Sequence, residues 1–551
     1  MKTSYKFLAV ALAVGSMTSC ADLDTEYLGG YVNTEQKENA LNEKPELASA
    51  SVAAIASQSI SLGGSYSSSH YDFGYPAINL AFDSQTADMA AGYTGYNWFL
   101  IWAMFDGNSQ NAVRTYQVWD PVYANIKICN DLLATIPADA ENATLQFYRA
   151  QGLANRAYDY WLLANSYQFN VQRHPDALCV PILTDENTET AAAEGTPRAT
   201  TTEVYAQVIK DLNEAITLLT NSGLKPEQLI GDKPKRLVSL ATAYGLRARA
   251  HLSMGLYKEA AADAQAAINN FNGAPASIAD VSKPTFCSLN EADWMWGFAV
   301  AETDGCVQTG IINWPSMACS FAGGGYVTVG AWRYCAEDLY NAIPATDVRK
   351  GWFLDANYKS ANLNAQEQAY MDAFIGDEGP VYDAANAQIP LFPYTNVKFA
   401  AYQNVVNQQV QASDLPRMRV EEMYYILAEA QGFSQGVAAG KATLENFEKA
   451  YRNPAYACKA TTAEELQEAI FQIKRVELWG EGLMYFEYLR LNKGIDRRLG
   501  KYPYALTFNL PAESPCMIYC IPQSEINANK QISEEQNNPS SNNPTPVPWG
   551  I

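Results

Sequence analysis

Apolar residues recur with the period of an α-helix over most of the chain between about residues 110 and 270. The clearest example runs from 204 to 219, where an apolar residue returns every three or four positions, the spacing of one helix face. Its apolar positions are Val204, Val208, Leu212, Ile216 and Leu219. Thr200 and Glu203 precede this run with the spacing of a capping box. The pattern predicts stacked amphipathic helices.

A pattern of small residues follows within 235–269. The spacing is typical of the second helix of a tetratricopeptide hairpin. The positions are Gly255, Tyr257, Ala260, Ala264 and Ala267. A matching pair of helical patterns returns at 419–431 and 442–452. We therefore predict a mainly α fold on a tetratricopeptide-like helix-pair scaffold, at about 110–270 and 415–495.

Two stretches, at about 57–108 and 273–400, leave the helical pattern. Both mix glycine and proline with short apolar runs, and together they hold most of the 11 tryptophans. Loops held by a rigid scaffold commonly carry binding residues. We predict that these stretches are loop-rich excursions with short strands, not helices, and that they form the working surface.

The amino terminus has the composition of a secretory signal. Lys2 and Lys6 precede an apolar run and small residues that end at Cys20, and the run is too short to span a bilayer. The residues before Cys20 resemble a bacterial lipobox, in which the cysteine is acylated. We expect residues 1–19 to be removed, Cys20 to carry a lipid anchor, and 20–551 to form a single domain at a membrane surface.

Composition narrows the function classes further. The formal net charge is −21, which would repel a phosphate backbone and argues against nucleic acid as a partner. Only three histidines are present and no CxxC motif occurs, so we expect no metal site, no cofactor and mostly buried cysteines.

Seven ordered segments resemble the SusD/RagB family of outer-membrane nutrient-binding lipoproteins of Bacteroidetes. They are WDPVYANIKICNDLLATIP, FYRAQGLANRAYDYWLLANSYQ, PRATTTEVYAQVIKDLNEAI, DLYNAIPATDVRKGWF, RVEEMYYILAEAQ, IKRVELWGEGLMYFEYLRLNKG and IPQSEINAN. The acidic residues after Cys20 also resemble the export tag of such surface lipoproteins. The resemblance covers roughly residues 115 to 530.

The resemblance implies a non-enzymatic protein that captures an oligosaccharide at the cell surface. Its partner would be a SusC-like TonB-dependent transporter in the outer membrane, to which the protein delivers its ligand. The charged residues within the matching segments are most simply structural, because they fall inside packed helices. These residues are Arg419, Glu429, Arg475, Glu477, Glu481 and Arg490.

The candidate ligand-binding residues come from 66–102 and 291–332, the stretches that correspond to the family's glycan platform. Aromatic rings would stack on the C–H faces of sugars, and Asp72 and Asn97 would bond their hydroxyl groups. The candidates are Tyr71, Asp72, Tyr75, Tyr96, Asn97 and Trp98 from the first stretch, and Trp294, Trp296 and Trp332 from the second. His70 lies beside the first group, but a single histidine is more often a surface or core residue.

Two alternatives remain open at this point. Capture of peptides, the RagB-type activity, would call for a cavity lined by Asn, Gln and charged groups instead of an exposed arc of rings. A glycoside hydrolase on the same scaffold would need two carboxylates flanking the scissile bond. Pairs such as Glu291 with Asp293, or Glu302 with Asp304, have suitable chemistry, but nothing in the sequence singles them out.

Overall fold

The structure is a computed structural model that describes residues 39–41, 43–63, 69–376, 379–380 and 391–550. The predicted signal segment, the lipobox and Cys20 lie outside the described residues. The fold is mainly helical, as the sequence predicts.

The longer helices form the scaffold. They are α1 (Ser49–Gln58), α2 (Tyr75–Gln85), α3 (Val113–Thr135), α4 (Ala143–Tyr167), α5 (Thr201–Ser222), α6 (Leu240–Ser253), α7 (Tyr257–Asn270), α8 (Val420–Ser434), α9 (Val437–Tyr451), α10 (Ala463–Glu477) and α11 (Met484–Arg490). Shorter helices span Leu100–Ala103, Thr188–Glu194, Pro226–Leu229, Ile278–Val281, Gly305–Gln308, Trp314–Ala318, Glu337–Ala342, Ala365–Asp372 and Gln523–Ala528. Single 3₁₀ turns span Pro45–Ala48, Pro234–Arg236, Tyr326–Val329, Val348–Trp352, Tyr402–Asn404, Tyr504–Leu506, Pro515–Met517 and Glu534–Gln536.

Helices α3 to α9 stack one upon the next in chain order, and α10 packs on α8. The array is therefore continuous although about 150 residues separate α7 from α8 in the sequence. Ala260, Ala264 and Ala267 are fully buried on α7 and allow close packing there. Across the junction, the ring of Tyr257 stacks on Phe433 of α8 with centroids 4.2 Å apart. The late helix pair thus completes the early array.

Local signals explain where α5 begins and ends. The Thr200 side chain accepts a hydrogen bond from the backbone N–H of Glu203, and the Glu203 carboxylate accepts one from the Thr200 N–H, so the predicted capping box is confirmed. The helix ends at Gly223, whose φ of 61° is easily adopted only by glycine. The apolar face predicted for α5 is buried throughout.

The strands are short and form antiparallel pairs. The strands are β1 (Met89–Ala91), β2 (Leu178–Pro181), β3 (Arg198–Thr200), β4 (Trp294–Phe298), β5 (Arg333–Cys335), β6 (Ile375–Gly376), β7 (Gly379–Pro380), β8 (Leu415–Arg419), β9 (Ile495–Asp496) and β10 (Asn509–Leu510). The pairs are β1–β5, β2–β3, β4–β8, β6–β7 and β9–β10. The pair β4–β8 joins the second excursion to the segment that leads into α8. Because Ala91 lies opposite Arg333 in the first pair, β1–β5 joins the two excursions.

One apolar core runs through the helix array and both excursions. Helix α2 lies deep in this core, with nearly every residue buried. The expectation that the excursions are not helical is therefore wrong for residues 75–85, and both excursions also contain short helices, of which Ala365–Asp372 is an example. The segment 75–85 is apolar around most of its circumference, so it lacks the one-sided periodicity of a surface helix. The nine described cysteines are buried, as expected, and none of them is paired in a disulfide.

Buried ion pairs link the late helices to the second excursion. The carboxylate of Glu477 contacts three guanidinium groups: Arg452 at 2.8 Å, Arg419 at 2.9 Å and Arg349 at 3.0 Å. Arg419 also contacts Glu481 at 2.8 Å. The structural role predicted for Arg419, Glu477 and Glu481 is confirmed, because none of them reaches the surface.

The other three charged residues of the matching segments are paired in the same way. Arg475 contacts Asp88 at 2.7 Å, and Arg490 contacts Glu429 at 2.7 Å. Each pair joins residues that are distant in the sequence, so these charges fix how the segments pack against one another.

Candidate functional site

Five aromatic side chains from three segments meet at the surface of the excursions. They are His70, Tyr71, Tyr96, Trp98 and Tyr326, and we call them the aromatic cluster. The first two lie just before α2, the next two follow β1, and Tyr326 opens the 3₁₀ turn Tyr326–Val329. The β1–β5 pairing brings the last two segments close together.

The Trp98 indole lies at the centre of the cluster. The His70 ring stacks on it with centroids 4.4 Å apart and an interplanar angle of 30°. Tyr326 approaches it at 6.2 Å edge to face, and Tyr71 at 6.4 Å in a tilted arrangement. Tyr96 extends the cluster, 6.3 Å from Tyr326. These separations are those of favourable aromatic pairs, so the rings hold one another in place.

The cluster is partly open to solvent. Tyr96 is 36% exposed and its neighbour Tyr93 is 53% exposed, whereas His70, Tyr71 and Trp98 are half-buried. Tyr326 is 8% exposed, and burial raises the pKa of its hydroxyl. That hydroxyl therefore stays neutral at physiological pH and can both donate and accept a hydrogen bond.

Backbone geometry and polar side chains fix the two loops that carry these rings. Gly74 has a φ of 79°, and a Cβ at this position would lie 2.6 Å from the Ser59 carbonyl oxygen. In the second loop, the Asn97 amide donates to the Gly92 carbonyl and its Oδ1 accepts from the Phe99 N–H. Asn97 therefore uses both ends of its amide to hold the turn that presents Tyr96 and Trp98.

Asp72 is also buried, next to Tyr71. The pKa of Asp120 is raised to about 6, mainly by its burial and also by the nearby charges of Asp72 and Glu525. The Asp72 carboxylate is thus near Asp120, which is half-buried. The surface role predicted for Asp72, bonding sugar hydroxyls, has no support in this placement.

Four of the predicted rings are in the core and not at the surface. Tyr75, Trp294, Trp296 and Trp332 are all 0% exposed. The prediction that they present a face to ligand is therefore wrong. Tyr75 belongs to the buried helix α2, and its hydroxyl donates to Asp159 at 2.7 Å. Trp332 packs edge to face on Phe374, with centroids 4.9 Å apart.

Strand β4 explains the burial of Trp294 and Trp296. Alternation along a strand exposes every second residue only where one face is open to water. Here α4 supplies Tyr158 against Trp296, and α6 lies close enough for the Thr242 hydroxyl to donate to the Met295 carbonyl. All five residues of β4 are consequently buried.

Trp296 also holds a buried cation. The guanidinium carbon of Arg417 lies 3.6 Å from the Trp296 ring centroid, 4.3 Å from that of Tyr158 and 4.6 Å from that of Phe298. Burial lowers the pKa of Arg417. Because the aromatic faces supply the attraction, this ring set is a structural cation–π cage and not a ligand platform.

The structure adds His70 and Tyr326 to the candidate site. His70 is adjacent to the predicted residues, but a single histidine gives no specific signal of a binding site in the sequence. Tyr326 follows three glycines in a region where many rings are buried, and the long-range β1–β5 pairing helps to bring its segment beside Trp98. That long-range pairing has no local signal in the sequence.

A second concave region lies between segments 276–293, 361–367 and 400–406. This cleft has a volume of about 980 Å³, at the upper end of the range for small-molecule sites. Its lining is polar and contains one aromatic ring. The amide and charged residues are Asn290, Asn362, Asn364, Asn404, Asp280, Lys283, Glu291, Asp293 and Glu367.

The acidic pairs considered for glycoside hydrolysis contact neighbouring protein groups. The Glu291 carboxylate accepts from the Thr285 hydroxyl at 2.6 Å and from the Phe286 N–H at 3.0 Å. Burial raises the pKa of Asp293 to about 6, although Arg419 opposes the shift. Glu302 accepts from the Tyr402 hydroxyl and Asp304 from the Ala301 N–H. These contacts give each carboxylate a structural role.

Within the described residues, no group of three or more Asp, Glu, His or Cys side chains is arranged to hold a metal ion. In the same part of the chain, no helix combines the length and the apolar character needed to cross a bilayer.

Comparison with known protein families shows to which family the chain belongs. A model described as SusD-like, "Starch-binding associating with outer membrane", matches residues 41–252, and the model of the SusD family matches residues 340–540. The chain belongs to the SusD/RagB family. A search of curated protein sequences found no matching relative.

Solved structures of SusD-like proteins share the fold of this family member. A SusD-like carbohydrate-binding protein from Bacteroides vulgatus is 22% identical, with a TM-score of 0.70 and coverage of 89% of this chain and 97% of that one. Surface glycan-binding protein A from Bacteroides thetaiotaomicron, solved with laminarihexaose, is 16% identical, with a TM-score of 0.60 and coverage of 88% and 98%. A laminarin-binding SusD-like protein is 18% identical, with a TM-score of 0.59 and coverage of 90% and 99%.

Proposed function

We propose that this SusD-family protein binds an oligosaccharide at the aromatic cluster. The observation that carries the proposal is the pair of partly exposed rings Tyr96 and Trp98, packed on the buried ring of Tyr326 and held by the Asn97 turn. Sugar rings offer apolar C–H faces to such rings, and their hydroxyls bond to groups such as the Tyr326 hydroxyl. Structural relatives that bind laminarin or laminarihexaose support a glycan as the ligand class.

The affinity of a single site should be modest, because stacking and hydroxyl bonding at an open surface compete with water. We expect a Kd between about micromolar and millimolar, which corresponds to roughly −8 to −4 kcal/mol. A glycan panel screened with the purified protein would identify the ligand, and calorimetric titration would give its affinity.

Replacement of Trp98 by alanine should weaken binding of that glycan by about tenfold or more, because it removes the central ring and loosens its neighbours. Trp549→Ala is the matched control, since this indole is 55% exposed and lies outside the cluster. Titration of both variants against the same oligosaccharide measures the effect. Equal affinity of Trp98→Ala and wild type, with both folded, would place the site elsewhere.

A second candidate function, peptide capture, is favoured by the polar cleft. Its asparagine side chains and charged groups resemble the lining that a peptide-binding site would need. A panel of short peptides included in the same screen separates the two functions. Peptide binding that survives Trp98→Ala, with no glycan bound, would favour this candidate.

We further propose that the protein is attached to the outer membrane through a lipid on Cys20 and delivers its ligand to a SusC-like TonB-dependent transporter. Support comes from the lipobox-like sequence and from one of the matching families, which is described as associating with the outer membrane. Attachment beside the transporter would raise the effective concentration of captured ligand at its entrance.

Cys20→Ala should move the protein from the membrane fraction to the soluble fraction, because the only predicted anchor is lost. Cell fractionation followed by immunoblotting measures the distribution. Ser19→Thr is a control that leaves the cysteine in place and should stay in the membrane fraction. A Cys20→Ala protein that remained in the membrane fraction would contradict the anchor assignment.

A further inference from the structure

The imidazole of His70 covers one face of the Trp98 indole. With ring centroids 4.4 Å apart and 30° between the planes, no other ring fits between them. Stacking of a sugar on Trp98 needs an uncovered face of the indole. The face against His70 is therefore occupied by the protein itself.

His70 makes a second contact at the edge of its ring. Its Nδ1 is hydrogen-bonded to the hydroxyl of Tyr326, which in turn packs edge to face on Trp98. The imidazole thus combines a flat face on the indole with one polar atom bonded to a tyrosine hydroxyl. A pyranose ring has the same two features, an apolar C–H face and hydroxyl groups at its edge.

We infer that His70 occupies the position of one sugar residue and competes with the ligand for Trp98 and Tyr326. The inference rests on the proposed function of the aromatic cluster. A bound oligosaccharide would displace the imidazole and stack one sugar on the indole face that the imidazole leaves. A hydroxyl of the same sugar would bond to the Tyr326 hydroxyl. His70 then sets affinity and specificity, because a ligand can displace it only by replacing both its stacking on Trp98 and its hydrogen bond to Tyr326.

Competition of this kind predicts the direction in which the glycan affinity changes when His70 is replaced. The apparent affinity of a site falls with the fraction of molecules in which it is open. Removal of the competing ring should therefore strengthen binding. Had His70 instead formed part of the platform, its removal would weaken binding, as for Trp98.

The first test is calorimetric titration of His70→Ala with the tightest-binding oligosaccharide of the panel. We expect about two- to tenfold tighter binding than wild type, the range of one aromatic contact. His174→Ala is the matched control, because this histidine lies outside the cluster, beside Glu513, and should leave the affinity unchanged. Unchanged or weaker binding by a folded His70→Ala protein would overturn the inference.

The second test observes the imidazole directly. The chain contains three histidines, so the imidazole proton signals of an untagged protein can be assigned with His70, His174 and His251 variants. In the free protein the His70 signals should be shifted by the Trp98 ring current, and Trp98→Ala should abolish this shift. Saturating oligosaccharide should also abolish it. Retention of the shift in the saturated complex would show that His70 is not displaced.

The outcomes separate this inference from the proposed function. If no panel glycan binds wild type, both fail. If Trp98→Ala loses binding and His70→Ala also weakens it, the glycan site stands and the competition is wrong. If His70→Ala strengthens binding while Trp98→Ala weakens it, both are supported.

Discussion

Glu477→Gln is expected to lower the free energy of unfolding by about 3–5 kcal/mol, because it removes from a buried ion-pair network the carboxylate that three guanidinium groups share, although each of them keeps another carboxylate partner. The wild-type carboxylate lies within 3.0 Å of Arg349, Arg419 and Arg452, all fully buried. Glutamine preserves the volume, so the change reports on charge and not on packing. Urea denaturation followed by circular dichroism measures the difference.

The matched control for this variant lies on the same helix. Glu468 contacts Lys493 at 2.6 Å, but both side chains are partly exposed. Solvent screens such a pair, so Glu468→Gln should cost less than about 1 kcal/mol. Equal effects of Glu477→Gln and Glu468→Gln would show that the buried network contributes no more than a surface pair.

The network also predicts the direction of the pH dependence. Burial alone would raise the pKa of Glu477, but Arg452, Arg419 and Arg349 outweigh it and hold this pKa well below the ordinary value. A carboxylate with a lowered folded-state pKa stabilises the fold above its unfolded-state pKa, and this stability is lost as the pH falls through the folded-state value. The stability difference between wild type and Glu477→Gln should therefore shrink in acid.

Trp296→Ala is the second change with a large expected effect, about 3–5 kcal/mol of unfolding free energy. The ring is fully buried, its N–H donates to the Arg236 carbonyl at 3.2 Å, and it covers the Arg417 guanidinium. Alanine would leave a cavity and remove the closest aromatic face from a buried cation. The same denaturation assay measures the loss.

Trp549→Ala serves again as the control, because that ring is mostly exposed and its loss should cost under about 1 kcal/mol. A stable Trp296→Ala protein with weakened glycan binding would contradict the core position of Trp296 and return it to the list of ligand contacts.

The helical scaffold was predictable where a helix buries one face and exposes the other, as α5 does. The structure confirms three local signals in the sequence: the helical period of α5, its capping box, and the small residues of α7. The buried helix α2 was missed because nearly all of it is buried, with Asp83, Ser84 and Gln85 included, so its burial does not follow one apolar face. Contacts between distant segments, such as α7 against α8, follow from repeat geometry but have no direct signal in the sequence.

The candidate site was predictable only in part. Tyr71, Tyr96 and Trp98 lie together in the cluster, whereas Trp294, Trp296 and Trp332 lie in the core. Loop composition suggests where rings gather but does not say which rings are buried, because burial depends on what packs against them. The excursion at 291–332 is covered by α4, α6 and residue Phe374, and no local pattern reveals this covering.

The central claim is that the aromatic cluster is the glycan site, and a crystal structure with the tightest-binding panel oligosaccharide tests it most directly. The account predicts a sugar ring in van der Waals contact with Trp98, at the place that His70 occupies in the free protein, and a hydroxyl bonded to Tyr326. Sugar density in the polar cleft beside Asn290 and Glu291, with the aromatic cluster empty and His70 still on Trp98, would contradict it.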